Sequence, residues 1–359
     1  MLRIVHAADF HLDSPFAALE EEQAVLRRKE QRGLLEALSK EAAGADLVLL
    51  SGDLLDSGVC HAETTEALES FLNALPGQVF LSPGNHDYYA PESPWTRMAL
   101  RDNVHIFTSS RPEPAFLPEL DCTVWGAAFT SPRSGPKLRG FRAEGEGLQL
   151  MVLHGDVNAA APAYDPISEE EIAESGLRYL ALGHIHAFSG LRRSGETLWA
   201  YPGCLMGRGF DETGEKGFLR LALSEESCQA DFVPLPSRRY ERREVDVTGR
   251  EDLLSALEEA LPPEERENIL RLTLRGEWPE KPRLEELTAA LSGRCFRLEL
   301  RDATRLQRSV WDAAGEDTLR GCFLRALRKK YETADDAGRE RITLAARYGL
   351  AALEYREEL

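Results

Sequence analysis

Several features are missing from this chain of 359 residues, and each absence removes a class of function. No apolar run reaches membrane-spanning length, and no charged start followed by a long apolar stretch reads as a secretory leader. The cysteines (Cys60, Cys122, Cys204, Cys228, Cys295 and Cys322) show no Cys-x-x-Cys spacing, so free thiols are expected rather than a disulfide framework. A cytoplasmic protein without membrane contact is the expectation. Internal repeats and low-complexity tracts are absent. Positive charge is scarce: 43 Lys and Arg face 61 Asp and Glu, a formal net charge of −18. That balance argues against a stand-alone nucleic-acid binder, which needs a basic face. Basic residues gather only locally, at Arg238–Arg243 and Arg320–Lys330. A basic partner is the other way to offset the total.

What the chain does have is a repeated grammar. A short apolar run ends in metal-ligand residue types, and this happens at five places. Residues 2–8 deliver Asp9 and His11, and residues 46–50 deliver Gly52 and Asp53. Gln78–Leu81 leads into Ser82-Pro83-Gly84-Asn85-His86-Asp87. Leu148–Leu153 ends at His154, and Tyr179–Leu182 ends at Gly183-His184-Ile185-His186. The segments 16–43 and 62–75 between them read as helices, the second with Ala67, Leu68, Phe71, Leu72 and Leu75 near helical spacing. Strands alternating with helices predict an α/β layered fold with buried, continuously apolar strands. Ligands at strand ends fit the rule that such sheets bind outside the carboxyl ends of their strands.

The length predicts one large domain and one or two smaller ones. Further strands at 197–202 and 217–223 close a domain spanning 1–233, and Pro234-Leu235-Pro236 reads as a linker. Residues 237–303 alternate strand and helix as a small α/β cap. From 317 to 359 the pattern is helical. Leu319, Phe323, Leu324, Leu327 and Tyr331 share one face there, and Ile342, Ala345, Ala346, Gly349 and Leu353 another. Such stripes either pack on their own domain or dock a partner helix.

The five strand ends together predict one two-metal site for phosphoryl chemistry. Asp53 is the candidate bridging carboxylate, with Gly52 letting the backbone turn close to the metals. Asp9 with His11, and His184 with His186, place alternate residues on one side. Asn85 adds a neutral oxygen, and His154 another imidazole. This mixed oxygen and imidazole set suits Mn²⁺, Fe²⁺ or Zn²⁺ better than Ca²⁺ or Mg²⁺. His86, beside Asn85, is placed to protonate a leaving oxygen or to stabilise transition-state charge. Asp56 is the first candidate for the carboxylate that orients it, and Asp87 the second. His6, His61 and His105 stand outside the motifs and read as packed or exposed residues. Asp13 and Asp156 read as turn or supporting residues. Arg192, Arg193 and Arg208 lie near the motifs and read first as solvated, although each can approach a nucleic-acid strand. Tyr88 and Tyr89 either stack a base or pack the loop.

Asp9-Phe10-His11, Gly52-Asp53-Leu54-Leu55-Asp56, Gly84-Asn85-His86-Asp87, His154-Gly155 and Gly183-His184-Ile185-His186 resemble the calcineurin-like metallophosphoesterase superfamily, in its SbcD-type DNA-repair exonuclease flavour. His11–Phe16, Tyr201-Pro202-Gly203 and Gly207–Glu212 are most similar to the bacterial YhaO-like branch. The resemblance implies a four-layer β-sandwich flanked by helices. It implies Asp9, His11, Asp53 and His186 on one metal, and Asp53, Asn85, His154 and His184 on the other. It also implies Mn²⁺-dependent hydrolysis of DNA phosphodiesters, a homodimer, and an SbcC-type coiled-coil ATPase partner held through the C-terminal helices. The same chemistry on a non-DNA phosphodiester or phosphomonoester is the alternative. A scaffold that keeps metals for structure alone is a third reading, opposed by the full ligand set and His86.

Overall fold

The computed structural model describes residues 1–158, 163–263, 266–306 and 310–354. They fall into two compact units, Met1–Glu241 with Glu267–Ile269, and Arg242–Arg266 with Leu270 onward. In chain order the first unit contains β1 (Leu2–Ala7), α1 (Glu21–Glu41), β2 (Leu47–Leu50), α2 (Ala62–Ala74), β3 (Gln78–Leu81), β4 (Val104–Ile106), β5 (Glu113–Leu117) and β6 (Cys122–Gly126). There follow β7 (Leu148–His154), β8 (Asp156–Val157), β9 (Pro166–Ile167), α3 (Glu169–Glu174), β10 (Tyr179–Gly183), β11 (Arg192–Ser194), β12 (Thr197–Ala200), β13 (Gly217–Leu223) and β14 (Cys228–Pro234).

Two six-stranded sheets form, in the orders β14-β13-β1-β2-β3-β4 and β11-β12-β10-β7-β6-β5. Strands β1 to β4 run parallel, as do β6, β7, β10 and β12. A parallel strand covered on both faces must be apolar throughout, and all of Leu47-Val48-Leu49-Leu50 is buried. Alternate residues serve alternate layers. Val48 and Leu50 pack under α1 and α2 with Leu34, Leu38, Leu68 and Phe71. Leu47 and Leu49 meet Val124, Leu150, Val152 and Ala181 of the second sheet. The far face of that sheet, through Met151, Leu153, Leu180 and Leu182, is covered by Ile172 of α3 with Leu138 and Leu177. The result is the four-layer α/β sandwich, helix on sheet on sheet on helix.

Three local expectations differ from the structure. Helix α1 starts at Glu21 rather than near residue 16, because Phe16 sits at φ +48°, outside helical space, with its ring buried. Edge strands β5 and β14 carry Pro and polar residues that obscure the strand pattern. At the expected linker, Pro234 ends β14 opposite Gly217, and buried Leu235 donates its N–H to the Lys216 carbonyl at 2.8 Å.

The second unit holds β15 (Tyr240–Asp246, entered from the first unit), α4 (Leu253–Glu259), β16 (Ile269–Trp278), α5 (Leu284–Ala290) and β17 (Arg297–Leu306). The strands form one sheet in the order β15-β16-β17. Val245, Leu257, Leu270, Leu272 and Leu291 make its core. Helices α6 (Leu319–Glu332) and α7 (Asp336–Glu354) follow. Their facing stripes are spent largely on each other: Leu324 and Ala346 are buried, with Phe323, Leu327 and Leu350 packed around them. Leu319, Leu344 and Tyr348 stay exposed. Among the described residues no helix is long and apolar enough to cross a membrane.

Candidate metal centre

The carboxyl ends of five parallel strands deliver the site. Past β1 come Asp9 and His11; past β2, Asp53; past β3, Asn85 and His86. His154 is the last residue of β7, and His184 and His186 follow β10. Backbone bonds stitch these ends together. Asp9 N–H donates to the Gly52 carbonyl at 3.0 Å and His11 N–H to the Asp53 carbonyl at 2.9 Å. His184 N–H donates to the Asp9 carboxylate at 3.1 Å, linking the two sheets. Gly52, at φ +85°, has no room for a side chain: a Cβ there would lie 2.7 Å from the Gly84 nitrogen and 2.8 Å from His154 Nδ1.

Asp9, His11, Asp53 and His154 are buried, Asn85 and His186 partly so, and His86 is exposed. Ligand atoms of Asp9, His11 and His186 lie within 4.8 Å of one another, as do those of Asp9, Asp53 and His154, and those of His11, Asp53 and His86. Asp53 Oδ2 stands between the groups, 3.7 Å from His11 Nε2 and 3.3 Å from His154 Nε2. Asn85 Oδ1 is 3.0 Å from His154 Nε2. The ring of His184 stands edge-on to His154 at 5.2 Å and lies against Tyr164, also at 5.2 Å.

The imidazoles show what this set can hold. A carboxylate or carbonyl accepts only, so each nitrogen facing one carries a hydrogen. His11 Nδ1 donates to Asp56 Oδ1 at 3.1 Å, His186 Nδ1 to Glu212 Oε1 at 2.7 Å, and His154 Nδ1 to the Ser51 carbonyl at 2.8 Å. The Nε2 atoms are thereby turned inward, where a cation would stand in place of a proton. His11 Nε2 and His186 Nε2 face each other at 3.1 Å, an arrangement a shared cation satisfies. Burial, only partly offset by Asp56, lowers the His11 pKa to about 4, so its ring is a neutral donor. Burial alone lowers His154, yet Asp53 and Asp9 raise it to about 9, and that negative field calls for positive charge on Nε2. Buried carboxylates, imidazoles and an amide oxygen fit divalent transition metals. Asp9, His11, Asp53 and His186 would hold one; Asp53, Asn85 and His154 would hold a second, with His184 beside them.

The orienting carboxylates are placed otherwise than expected. His86 Nδ1 donates to the backbone carbonyl of Asp56 at 2.8 Å, not to its carboxylate. The Asp56 carboxylate is occupied by His11, by Ser14 Oγ at 3.0 Å and by Arg208 Nη1 at 3.1 Å. Asp87, the second candidate, accepts from the N–H groups of Asp53 (3.2 Å), Leu54 (2.7 Å), Leu55 (3.3 Å) and Gly84 (2.8 Å), and so fixes the two loops instead. Glu212 was not predicted to act here, although it lies in the Gly207–Glu212 motif. Burial alone raises its pKa, but hydrogen bonds from His186 and Arg208 outweigh that and hold it below the usual carboxylate range. Arg208 is tied to carboxylates rather than solvated. Asp13 accepts from His61 N–H and Thr64 Oγ1, both at 2.7 Å, at the start of α2. Tyr89 packs against the helix-side core, and Tyr88 is half-buried.

A sandwich of two sheets with buried carboxylates and imidazoles at its strand ends defines a metal-dependent phosphoester hydrolase. The calcineurin-like phosphoesterase profile matches residues 2–188, more than half of the chain, and the chain belongs to that family. It is similar to the uncharacterized metallophosphoesterase YhaO of Bacillus subtilis, 29% identical over 323 residues, covering 81% of this chain and 77% of that protein. It is also similar to the DNA double-strand break repair protein Mre11 of Aeropyrum pernix, 23% identical over 281 residues, covering 73% of this chain and 68% of that one.

Proposed function

We propose that the chain is the nuclease subunit of an SbcD-type DNA-repair enzyme, hydrolysing DNA phosphodiesters with two Mn²⁺ ions. The observation that carries this is the contrast between His86, exposed with Nδ1 anchored on a carbonyl, and the buried ligands beside it. When bound, the two cations supply Lewis-acid polarisation of the phosphoryl group and a nucleophile at neutral pH. The chain does the rest. Asp53 holds the two halves of the site together and accepts the His86 N–H at 2.9 Å, which fixes the His86 backbone. His86 Nε2, the ring nitrogen turned away from that carbonyl, would give its proton to the leaving oxygen from the imidazolium form and leave the ring neutral with its hydrogen on Nδ1.

The likeness to a DNA break repair protein supports DNA as the substrate. The net charge of −18 supports a basic partner, since neutralising several phosphates takes several cationic side chains. An SbcC-type coiled-coil ATPase fits that need, with the exposed Leu319, Leu344 and Tyr348 on α6 and α7 as its contact, in a homodimeric assembly.

The test is Mn²⁺-dependent cleavage of end-labelled DNA by the wild type and His86→Ala, with metal content measured in both. The expected result is a loss of about 10²–10⁴-fold in the variant with both metals retained. Hydrolysis of bis-p-nitrophenyl phosphate without cleavage of DNA, even with the ATPase present, would move the substrate to a non-DNA phosphodiester. Full activity in the variant would remove His86 from the mechanism.

A further inference from the structure

We propose that Arg208 is a positioning residue for the metal centre, its guanidinium bracing together the two carboxylates that aim His11 and His186. The inference rests on the two-metal reading of the site and adds to it a residue outside every strand-end motif. Its basis is a closed circuit of short contacts. Asp56 Oδ1 takes His11 Nδ1–H at 3.1 Å, and Glu212 Oε1 takes His186 Nδ1–H at 2.7 Å. Arg208 reaches both acceptors: Nη1 lies 3.1 Å from Asp56 Oδ1, and Nη2 lies 2.8 Å from Glu212 Oε1. Arg208 N–H also donates to Glu212 Oε2 at 2.8 Å. Between them, His11 Nε2 and His186 Nε2 meet at 3.1 Å. Asp56 and Arg208 are 152 residues apart in sequence, so the circuit joins separate loops.

The chemistry requires an arginine. Without the guanidinium, Asp56 would keep only Ser14 Oγ–H beside its imidazole and Glu212 the Arg208 backbone N–H, and nothing would tie the two carboxylates to each other. A planar fork satisfies both at fixed angles, whereas a lysine ammonium is a single point charge on a flexible stem. The brace is itself held from behind. Arg27 of α1, fully buried, donates Nη2–H to the Gly207 carbonyl at 3.0 Å and pairs with Glu30 at 2.8 Å. Thus the backbone that carries Arg208 is fastened to the helix layer.

The brace serves only one half of the centre. His154 is oriented by the Ser51 carbonyl and has no part in the circuit. This asymmetry gives the test. Mn²⁺ titration of the full-length protein by calorimetry, with Mn²⁺ electron paramagnetic resonance, is run on the wild type, Arg208→Ala and Arg208→Lys. Melting in EDTA controls for folding. The expected result is two Mn²⁺ in the wild type, and in both variants a loss of affinity of about 10–100-fold at one site only. The spin-coupled signal of the metal pair should weaken at equal Mn²⁺, while the apoprotein, although less stable for the loss of a largely buried ion pair, still melts cooperatively above the temperature of the titration. Wild-type affinity at both sites in Arg208→Ala would overturn the proposal, as would complete rescue by lysine, which would reduce the effect to charge. Equal weakening of both sites would also overturn it. If Arg208→Ala does not fold, Arg208→Lys carries the comparison. A wild type that binds no Mn²⁺ would instead overturn the two-metal reading on which the brace depends.

Discussion

Replacing Asp87 by asparagine tests how the site is built, because the carboxylate is used as an acceptor on both oxygens. Oδ1 accepts the N–H groups of Asp53 and Gly84, and Oδ2 those of Leu54 and Leu55, at 2.7–3.3 Å. Asparagine is nearly isosteric but offers one oxygen and one NH₂ group. In either orientation two N–H donors then face an N–H donor. Asp87 is 1% exposed, so water does not replace the lost acceptor. An orphaned buried donor costs about 1–3 kcal/mol, so two cost about 2–6 kcal/mol, toward the lower half because two of the contacts are long. The assay is urea unfolding of the full chain in EDTA, followed by amide exchange in peptides covering 47–55 and 78–87. The expected result is a destabilisation of the first unit by about 2–4 kcal/mol. Faster exchange should be concentrated at one pair, either Asp53 and Gly84 or Leu54 and Leu55, according to which side of Asn keeps the oxygen. A change below about 0.5 kcal/mol, with exchange unaltered, would refute the reasoning, since substitutions away from such features fall in that range.

Two further outcomes follow from the same geometry. Gly84→Ala would place a Cβ on Asp53 Oδ1, so the bridging carboxylate should be displaced and Mn²⁺ affinity fall by about tenfold or more, measured by calorimetry. Unchanged affinity would mean that Asp53 is not a ligand. His6, buried between the sheets, has its pKa lowered from 6.5 to about 3 by burial. Below pH 6.5 the unfolded chain therefore takes up a proton that the native chain refuses. Stability falls as pH drops from about 6.5 toward about 3, by up to about 1.4 kcal/mol per pH unit from this residue. His6→Gln should flatten that limb, and identical pH slopes for the two proteins would exclude the effect.

The sequence shows the site where short-range rules apply. A buried parallel strand is a continuous apolar run, and the ligand types stand within a few residues of its end, so Asp9, Asp53, Asn85, His154 and His186 are visible one by one. What holds them is not visible, because it is long-range. Glu212 orients His186 across 26 residues, and Ser51 orients His154 across 103. Nothing in local periodicity couples such positions. Asp56 shows a subtler limit. Asp56 and His86 lie together, but sequence does not say whether a residue acts through its side chain or its carbonyl. His6 illustrates the converse. It reads as an unremarkable core histidine, yet it bonds Tyr179 at 2.8 Å and Ser51 at 3.1 Å, joining the two sheets beneath the site. Edge strands β5 and β14 escape for the reason edge strands usually do: half of each faces solvent, and proline is tolerated there.

The backbone of the site explains why so much support is needed. Asp9 (φ +55°), His11 (+46°), Asp53 (+51°) and His184 (+108°) all lie at positive φ, where non-glycine residues are uncommon. Each such residue costs on the order of 1–3 kcal/mol, least for Asp, and persists only where its surroundings over-determine it. The constraint is visible at each one. Asp9 and His11 are clamped by bonds to the loop after β2, and Leu12 N–H continues that ladder to Leu54 at 2.9 Å. Asp53 is caught between this ladder and the Asp87 carboxylate. His184 is held by its own N–H on Asp9. A sharply turned backbone lets short side chains from five strands point into one small volume, which regular strand geometry does not allow. Asp87 and the ladder between the loops after β1 and β2 are then not accessories to the ligand set. They are what keeps a strained set of loops in the one arrangement where carboxylates and imidazoles converge.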